Sequence, residues 1–463
     1  MSPPSTHNRK GTCHLIHQYR SPLNAPVHTR AAVIFLLCVC TLLSVTDAFV
    51  IGKNLVRHES VVNTGDAFIL RAEEKDTASN FPSIPQVVEY EGRILAPHED
   101  FRCGFVSLIG APNMGKSTLL NAILKETLCS ATNRPQTTRH SILGVLTSDE
   151  QKCQLCFHDT PGVIDDPAYK LQEGMMEAVQ GAFRDSDVIL VITDMFSTPI
   201  PDDELFHKLN LSNKKKIVVI NKVDLADKVS ADPKQSPQFH MSRDNDAEPQ
   251  YRRTVTVEDA VSNWRGLVPD AVAIIPMTAS NGGDNAGVDA LRTLLLGGED
   301  VPKAFRALGR PIPGMFQEGV KFINDDAARE LIPCGPPLYD PETLTDRTER
   351  FFASEIIRAT LFTKLGKELP YCCEVRIEQF REPRPEDKKQ IVRINATICV
   401  ERDSQKGIVV GKGGVKIKEV GVEARQELEN FLQGKVHLDL NVKVEKNWRR
   451  DEKKLKEYGY LKN

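Results

Sequence analysis

The sequence predicts two folded domains in series: an α/β domain with a mostly parallel sheet and helices on both faces, then a smaller α+β domain. Between residues 100 and 300, short apolar runs typical of buried strands alternate with segments of helical periodicity. One of these runs leads through the glycine-rich turn "GAPNMGKS" into a helix-like stretch. After residue 346, a helical pattern precedes two alternating strands, two helices around "GKGG" and a last strand.

Length and composition are those of an ordinary globular chain. The 463 residues fit two to three domains, and 40% hydrophobic with 27% charged residues is typical of soluble proteins. The formal charge of −3 is too small to indicate a class of partner. Only Cys153 and Cys156, among eleven cysteines, form a CxxC pair, and on a strand their side chains point to opposite faces. We therefore expect reduced structural thiols rather than a metal or redox site.

The N-terminal 95 residues do not look like part of either domain. Residues 1–48 resemble a signal peptide, since a basic start without acidic residues precedes the apolar run "AAVIFLLCVCTLLSV", which is short for a membrane span. The following "TDAFV" is similar to the Ala-Phe junction of two-part presequences for secondary plastids, with a cut before Phe49. Residues 49–95 would then be a transit peptide and linker. We expect delivery to the plastid stroma; mitochondrial delivery and a retained membrane anchor are the alternatives.

The turn after the first apolar run has the spacing Gly-x-x-x-x-Gly-Lys-Ser of a phosphate-binding loop. Its glycines let backbone N–H groups approach phosphates, and the helix N-terminus adds positive potential. We expect Lys116 to reach the β- and γ-phosphates and the Ser117 hydroxyl to bind Mg²⁺. The pattern predicts a P-loop NTPase domain over residues 100–300. The residues expected to bind nucleotide here are Gly110, Asn113, Gly115, Lys116, Ser117 and Thr118.

Two further motifs indicate that the base is guanine. The strand-like run "KKKIVVI" ends in Asn221-Lys222-Val223-Asp224. Asp224 can accept hydrogen bonds from guanine N1–H and N2–H₂, and adenine would leave this carboxylate unpaired, which disfavours an ATPase. Lys222 can lie along the base, and Asn221 can tie this loop to the phosphate loop. The later residues Thr278, Ala279 and Ser280 complete the predicted base site, with the Ala279 N–H facing guanine O6.

Two segments between these motifs are expected to sense the γ-phosphate. The polar stretch "NRPQTTRHS" (133–141), which we call switch I, offers Thr137 and Thr138, of which we favour Thr138 as the Mg²⁺ ligand. In "FHDTPGV", which we call switch II, Asp159 would hold the metal and the Gly162 N–H would contact the γ-phosphate. The predicted metal ligands are therefore Ser117, Thr138 and Asp159. Such an arrangement becomes ordered with GTP and relaxes on hydrolysis, so we predict a GTPase.

Together, "GAPNMGKSTLLNAIL", "RPQTTRH", "DTPGV", "NKVD" and "TDRTERFFASEIIR" resemble the Era family of ribosome-assembly GTPases, over roughly residues 102–463. The family also carries an apolar residue where Val163 stands, in place of a glutamine that orients the attacking water. The resemblance implies that a potassium ion, bound in part by Asn113, supplies positive charge in the transition state. The residues expected to act in catalysis are Asn113, Lys116, Thr138 and Gly162.

Two stretches exceed the usual Era pattern. The first, about residues 228–256, is polar, Pro-bearing and poorly periodic, and "VEDAVSNWRGL" after it is predicted to be a helix. The second lies in the inter-domain linker, residues 301–345, with extra length over roughly 298–335. Neither stretch carries chemistry. We expect both to be inert, solvent-exposed loops, with organelle-specific contact surfaces as the alternative.

The last domain, residues 346–463, has the layout of a type II KH domain, which binds single-stranded RNA. Its Gly-x-x-Gly loop lies between two predicted helices, where glycines let the sugar–phosphate backbone approach. We expect the tail "VEKNWRRDEKKLKEYGY" to be a solvated amphipathic helix, with direct RNA contact as the alternative, and we expect Trp448 to be packed rather than stacked on a base. The residues expected to bind RNA are Gly411, Lys412, Gly413, Gly414, Lys416 and Lys418.

These observations predict a monomeric enzyme that binds GTP or GDP with Mg²⁺ and couples its nucleotide state to RNA binding. The Era resemblance implies that the RNA is the 3′ end of small-subunit ribosomal RNA, that the partner is the pre-ribosomal small subunit, and that DNA is not a ligand. Two alternatives remain open. The first is an RNA-binding assembly factor with a structural nucleotide and negligible turnover. The second is a membrane-tethered scaffold, which requires that residues 31–45 are retained.

Overall fold

A computed structural model describes residues 101–461, apart from 133, 165, 196–203, 226–255, 281–285, 298–314, 317–329, 367, 385 and 387–389. The predicted presequence and transit-peptide segment lie outside the described residues, as do residues 228–255 of the first insertion and residues 298–314 and 317–329 of the second. The two predicted domains belong to one compact unit. Within the described part of the chain, no helix is long and apolar enough to cross a bilayer.

The sheet of the first domain is made of six strands. They are β1 (Arg102–Ile109), β2 (Ile142–Ser148), β3 (Cys153–Asp159), β4 (Val188–Asp194), β5 (Lys215–Asn221) and β6 (Ala273–Pro276). Their order is β2-β3-β1-β4-β5-β6. β2 is antiparallel to β3, and all other neighbours are parallel. The predicted mostly parallel sheet is confirmed, and the buried central strands explain the continuous apolar runs in the sequence.

Helices cover both faces of this sheet. They are α1 (Lys116–Leu124), α2 (Lys170–Asp185), α3 (Glu204–Leu211), α4 (Val257–Leu267) and α5 (Ala286–Leu296). On one face, α1 and α5 contribute Leu120 and Leu291 to the core. On the other face, α4 contributes the buried Trp264. This helix follows the first insertion as predicted, and it begins with a capping box between Thr256 and Asp259.

The second domain packs helices on one three-stranded sheet. Its elements are α6 (Glu349–Lys364), β7 (Glu374–Arg381), β8 (Ile391–Val400), α7 (Asp403–Val410), α8 (Val415–Phe431), β9 (Lys435–Val444) and α9 (Glu452–Glu457). The sheet order is β7-β8-β9, with β7 antiparallel and β9 parallel to β8. Buried residues of α6 and α8, such as Ile357 and Leu428, join the sheet in one core. The order α-β-β-α-α-β predicted for a KH domain is confirmed.

Part of the second insertion is not an exposed loop, so that expectation is wrong. Segment 330–345 lies along the G-domain sheet, and Ile332 is 1% exposed. The Gln154 side chain accepts hydrogen bonds from two backbone N–H groups of this segment. The Val145 N–H donates to the Leu344 carbonyl oxygen over 2.8 Å. Apolar burial and backbone pairing therefore fix this part of the linker to β2 and β3.

The tail after β9 is also less exposed than expected. Trp448 is fully buried, as predicted, and its Nε1 donates to the Cys372 carbonyl oxygen over 3.1 Å. Leu455 of α9 and Tyr460 are also buried, and they pack against Leu171 of α2. The prediction of a solvated end helix is therefore wrong, because its apolar face covers a helix of the first domain.

The prediction that the two side chains of the CxxC pair point to opposite faces of the sheet is confirmed. Cys153 lies in the core on the α1 side of the sheet, and Cys156 lies in a separate cluster on the opposite side. Both are buried free thiols. Among the described residues, no group of three or more His, Cys, Asp or Glu side chains is placed to hold a metal ion.

Candidate functional site

The predicted phosphate loop joins β1 to α1, with Gly115 directly before the helix. Lys116 is buried, and its Nζ donates hydrogen bonds of 3.0 Å to the carbonyl oxygens of Gly110 and Ala111. Burial lowers the pKa of Lys116 to about 8, because a charged amine is costly away from water. This amine is a buried donor whose carbonyl partners can be exchanged for phosphate oxygens.

The three predicted metal ligands lie together beside this loop. Ser117 Oγ donates to Asp159 Oδ2 over 2.6 Å and lies 2.9 Å from Thr138 Oγ1. Asp159 Oδ1 is buried and accepts no hydrogen bond from an N–H or O–H group in the described chain. Burial raises the pKa of Asp159, against the Ser117 hydrogen bond. Hard oxygen ligands with one unused carboxylate oxygen fit Mg²⁺.

The structure also separates the two switch I threonines. Thr138 Oγ1 faces Ser117, as described above, whereas Thr137 Oγ1 donates to the Arg134 carbonyl oxygen over 2.9 Å. Thr137 therefore uses its hydroxyl within its own loop. This geometry supports the choice of Thr138.

Switch II contacts the phosphate loop closely. A Cβ added to Gly162 would lie 2.7 Å from Cα of Pro112, so only glycine fits this contact. The next amide, Val163 N–H, donates to the Gly110 carbonyl oxygen over 3.1 Å. The Val163 side chain packs against the core on the α4 side of the sheet. Position 163 therefore presents no polar group to an attacking water.

The predicted base site follows β5. Asn221 Nδ2 donates to the Met114 carbonyl oxygen over 2.9 Å, which ties the base loop to the phosphate loop. The Thr278 hydroxyl donates to Asp224 Oδ1 over 3.1 Å and holds that carboxylate in place. Ser280 is exposed beside them. One expectation is not supported, since the single hydrogen of the Ala279 amide is donated to Asn221 Oδ1 over 2.9 Å rather than left for guanine O6.

Lys222 provides a second link between the two loops. Its Nζ donates to the Asn113 carbonyl oxygen, and it lies 3.9 Å from Asp194 Oδ2. Burial lowers the pKa of Lys222. Asn113 itself adopts a left-handed backbone with φ 63°. The base loop therefore helps to hold Asn113, the residue that the Era resemblance assigns to potassium.

A cleft between the phosphate loop and switch I contains most predicted phosphate and metal residues. Asn113, Lys116, Thr118 and Gly162 line it together with the metal ligands Ser117 and Thr138. The cleft also has lining residues that sequence reasoning missed, namely Ser130, Ala131, Thr132, Arg134 and Gln136. Their only sequence signal was proximity to the two threonines.

The KH loop has the expected shape. Gly411, Gly413 and Gly414 have positive φ angles of 75°, 62° and 77°. Two large apolar side chains missed by the sequence reasoning, Ile408 and Val415, are 61% and 60% exposed beside this loop.

These apolar residues form a recess next to basic side chains. Leu365 and Gly366 complete its lining with Ile408, Gly411, Lys412, Val415 and Lys416. Lys416 is paired with Glu419 over 2.9 Å. Lys418 is exposed on α8 and is not among the lining residues. An exposed apolar surface beside a glycine loop and a lysine suits the bases and backbone of a single strand.

The described structure matches known proteins in both domains. Residues 105–222 match the family described as "50S ribosome-binding GTPase", and residues 368–449 match the KH domain. The chain is 32% identical to the GTPase Era of Xylella fastidiosa (strain Temecula1), over 78% of this chain and 98% of that protein. It is also 32% identical to "GTPase ERA1, chloroplastic" of Zea mays, over 82% of this chain and 76% of that protein.

A solved structure agrees with these relatives. The structure of Era in complex with MgGDPNP and nucleotides 1506–1542 of 16S ribosomal RNA matches with a TM-score of 0.58 and 27% identity. The match covers 78% of this chain and all of that one. Fold and site thus define a P-loop GTPase with a C-terminal KH domain. The chain belongs to the Era family, and it is a GTP-hydrolysing enzyme.

Proposed function

We propose that this GTPase acts in small ribosomal subunit assembly within an organelle, where it binds the 3′ end of small-subunit ribosomal RNA. One observation carries the proposal. The Ser117–Thr138–Asp159 cluster and the exposed recess around Ile408 belong to one compact unit, so a nucleotide-sensing site and an RNA-binding surface can influence each other.

In the nucleotide site, Lys116 exchanges its loop carbonyls for β- and γ-phosphate oxygens. Ser117, Thr138 and Asp159 would hold Mg²⁺, which when bound neutralises phosphate charge. Asn221, Lys222 and Asp224, with Thr278 and Ser280 nearby, would enclose the guanine. Thr138 would engage only with GTP, and the Gly162 amide would contact the γ-phosphate.

We assign activation of the attacking water to a bound cation rather than to a side chain at position 163. Val163 packs into the core, so no carboxamide can orient the water there. Asn113 lines the cleft together with the phosphate-loop residues, which supports its proposed role as a potassium ligand. Potassium would add positive charge where negative charge develops in the transition state.

In the KH domain, Ile408 and Val415 would contact unstacked bases. Gly411, Gly413 and Gly414 would let the RNA backbone approach, and Lys412, Lys416 and Lys418 would add positive charge. The relative solved in complex with 16S ribosomal RNA supports this choice of ligand. The chloroplastic relatives of Zea mays, Oryza sativa and Arabidopsis thaliana support a plastid over a mitochondrion. The protein would act as a monomer and would not bind DNA.

The proposal is tested by GTP turnover in potassium and in sodium, with and without an oligonucleotide of the organelle's small-subunit rRNA 3′ end. We expect hydrolysis that requires potassium and accelerates with the RNA. A DNA oligonucleotide of the same sequence is the control for ligand choice. If the protein does not bind the RNA with GDP, with GDPNP or without nucleotide, the proposed function is contradicted.

A second function would follow if the partly buried Val163 leaves the attacking water without an orienting group: an RNA-binding assembly factor in which nucleotide is structural. It predicts tight RNA binding with negligible turnover in both salts. The same experiment therefore separates the two functions.

A further inference from the structure

The KH domain contacts switch I on both sides of Thr138. Arg358 of α6 donates to the carbonyl oxygen of Thr137 over 3.0 Å. On the other side of Thr138, the Arg139 guanidinium donates to Glu374 Oε2 over 3.0 Å. The residue that faces the metal site is thus flanked by two contacts to the second domain.

The buried side chain of Arg139 makes several hydrogen bonds to the KH domain. Its side chain is 2% exposed. Besides Glu374, its guanidinium donates to the carbonyl oxygens of Cys373, Pro370 and Tyr371 at 2.9, 3.3 and 3.3 Å. Five donors in a fixed planar fork suit such a set of acceptors, and lysine could not replace them. Arg139 therefore anchors switch I to the start of β7.

Glu374 is the centre of this interface. Its Oε2 also accepts a 2.6 Å hydrogen bond from the Tyr460 hydroxyl, and its Oε1 lies 3.8 Å from the Arg358 guanidinium. Arg358 is also paired with Glu355. Burial raises the pKa of Tyr460, so the phenol keeps the proton it donates.

We call these residues the interdomain cluster. They are Arg139, Glu355, Arg358, Glu374 and Tyr460, all at most 7% exposed. Two arginines balance two glutamates, and removing one partner from such a buried set leaves an uncompensated charge. A state in which only some of these contacts are formed is therefore unfavourable. We expect two states, one in which switch I is docked on the KH domain and one in which the two are separated.

The ring next to the cluster strengthens this link. His140 stacks on Tyr460 with ring centroids 4.2 Å apart and planes 12° from parallel. In the same structure, Thr138 lies 2.9 Å from Ser117. Docking of the KH domain and placement of Thr138 at the metal site therefore coincide.

We infer that Glu374 is a positioning residue for GTP hydrolysis: through Arg139 and Arg358 it holds switch I so that Thr138 faces the metal site. The KH domain thereby contributes to the nucleotide site without touching the nucleotide. The inference extends the proposed function, in which nucleotide state is coupled to RNA binding. The predicted effect of Glu374 on turnover requires only that the protein hydrolyses GTP, and it does not require RNA binding. Because linked equilibria are reciprocal, nucleotide state must bias KH docking by the same free energy.

The test compares Glu374→Gln with the unchanged protein. The glutamine keeps the size of the side chain and removes the charge that pairs the two arginines. We expect kcat for GTP hydrolysis to fall about tenfold and KM for GTP to rise, because KM follows the affinity for the triphosphate when turnover is slow. The affinity for GDPNP relative to GDP should fall by a similar factor, since only the triphosphate engages Thr138. A protein that merely lost stability would keep this affinity ratio.

Two further variants make the test decisive. Tyr460→Phe keeps the ring against His140 but removes the hydrogen bond to Glu374, and we expect the same changes in smaller degree. If Glu374→Gln does not fold, the Tyr460→Phe variant tests the inference in its place. The control is Asp270→Asn, which removes the partner of the buried Lys216 far from either switch, and it should leave kcat and the GDPNP-to-GDP ratio unchanged. Folded cluster variants with unchanged kcat and ratio would overturn the inference.

An RNA measurement separates this inference from the proposed function. In the unchanged protein, GDPNP should raise affinity for the rRNA oligonucleotide above that with GDP, and Glu374→Gln should abolish the difference. An unchanged difference in the folded variant would count against the inference. If the unchanged protein does not bind the oligonucleotide, the proposed function fails, while turnover still decides the role of Glu374.

Discussion

The Nδ2 atom of Asn221 donates a 2.9 Å hydrogen bond to the carbonyl oxygen of Met114, 107 residues earlier in the chain. Both groups are buried, so neither can exchange its partner for water without opening the site. The same side chain accepts hydrogen bonds from the amides of Lys222 and Ala279 through Oδ1. One asparagine thus sets the distance between the loop that would bind phosphate and the loops that would bind guanine.

Asn221→Asp should weaken GDP binding about 10- to 100-fold. The carboxylate keeps the acceptor but loses the donor to Met114 and faces a carbonyl oxygen, a loss of about 1–3 kcal/mol. Isothermal titration calorimetry measures the change. Asn210→Asp is the matched control, because its amide also donates to a backbone carbonyl, that of Leu267, but at an exposed site. Equal effects of the two substitutions would contradict the role given to Asn221.

Nucleotide affinity should decrease as pH rises above about 8. The pKa of the buried Lys116 is lowered to about 8, and phosphate oxygens would raise it, so binding takes up a proton where the free amine is neutral. At a pH half a unit above this pKa, the uptake should be about 0.7 of a proton. Calorimetry of GDP binding in two buffers with different ionisation enthalpies measures it. Identical binding heats in both buffers would contradict the assignment, and near pH 6.5 no uptake is expected.

Gly162→Ala should reduce GTP turnover at least tenfold and change GDP affinity less than about threefold. The new methyl group would lie 2.7 Å from Cα of Pro112, so switch II must shift away from the phosphate loop, and small displacements in a reacting site are costly. Single-turnover hydrolysis measures the effect. Gly181→Ala is the control, since the nearest atom to its added Cβ is 4.0 Å away. If both variants hydrolyse GTP alike, the close contact is unimportant for switching.

Ile408→Ser should lower RNA affinity about fivefold or more without lowering the melting temperature. The side chain is 61% exposed, so the folded state loses little by its removal, whereas burying such an aliphatic side chain against an unstacked base is worth up to about 1.5–3 kcal/mol. Fluorescence anisotropy with the rRNA oligonucleotide measures the change. Leu211→Ser removes a more exposed apolar side chain from the other domain, and it should bind RNA normally. RNA binding that is insensitive to Ile408 would move the interface elsewhere.

Local patterns predicted much of the fold and of the nucleotide site. The phosphate loop, its strand and its helix are contiguous, so Gly110, Lys116 and Ser117 were identified from spacing alone. Thr138 was favoured over Thr137 in the sequence analysis, and the hydrogen bond of Thr137 to its own loop supports that choice. In these cases sequence neighbours are also neighbours in space.

Contacts between distant segments were not predicted. Arg139 and Glu374 are 235 residues apart, and in the sequence each reads as an ordinary surface charge. Ile332 lies in a Pro-rich stretch that gives no strand or helix signal, although it is buried. The Ala279 amide was assigned to guanine O6, and its hydrogen bond to Asn221, 58 residues earlier in the chain, was not predicted. Long-range pairing of this kind depends on topology, which residue spacing does not encode.

The bond between Val145 and Leu344 limits how the domains can move. It fixes the linker to the edge of the G-domain sheet, and α6 starts directly after its N-cap residue, Thr348. The free path from Leu344 to Thr348 is at most about 14 Å when fully extended. While this bond holds, the KH domain can pivot about that short tether but cannot travel far from it, so a released KH domain would still search for RNA within a small arc around switch I.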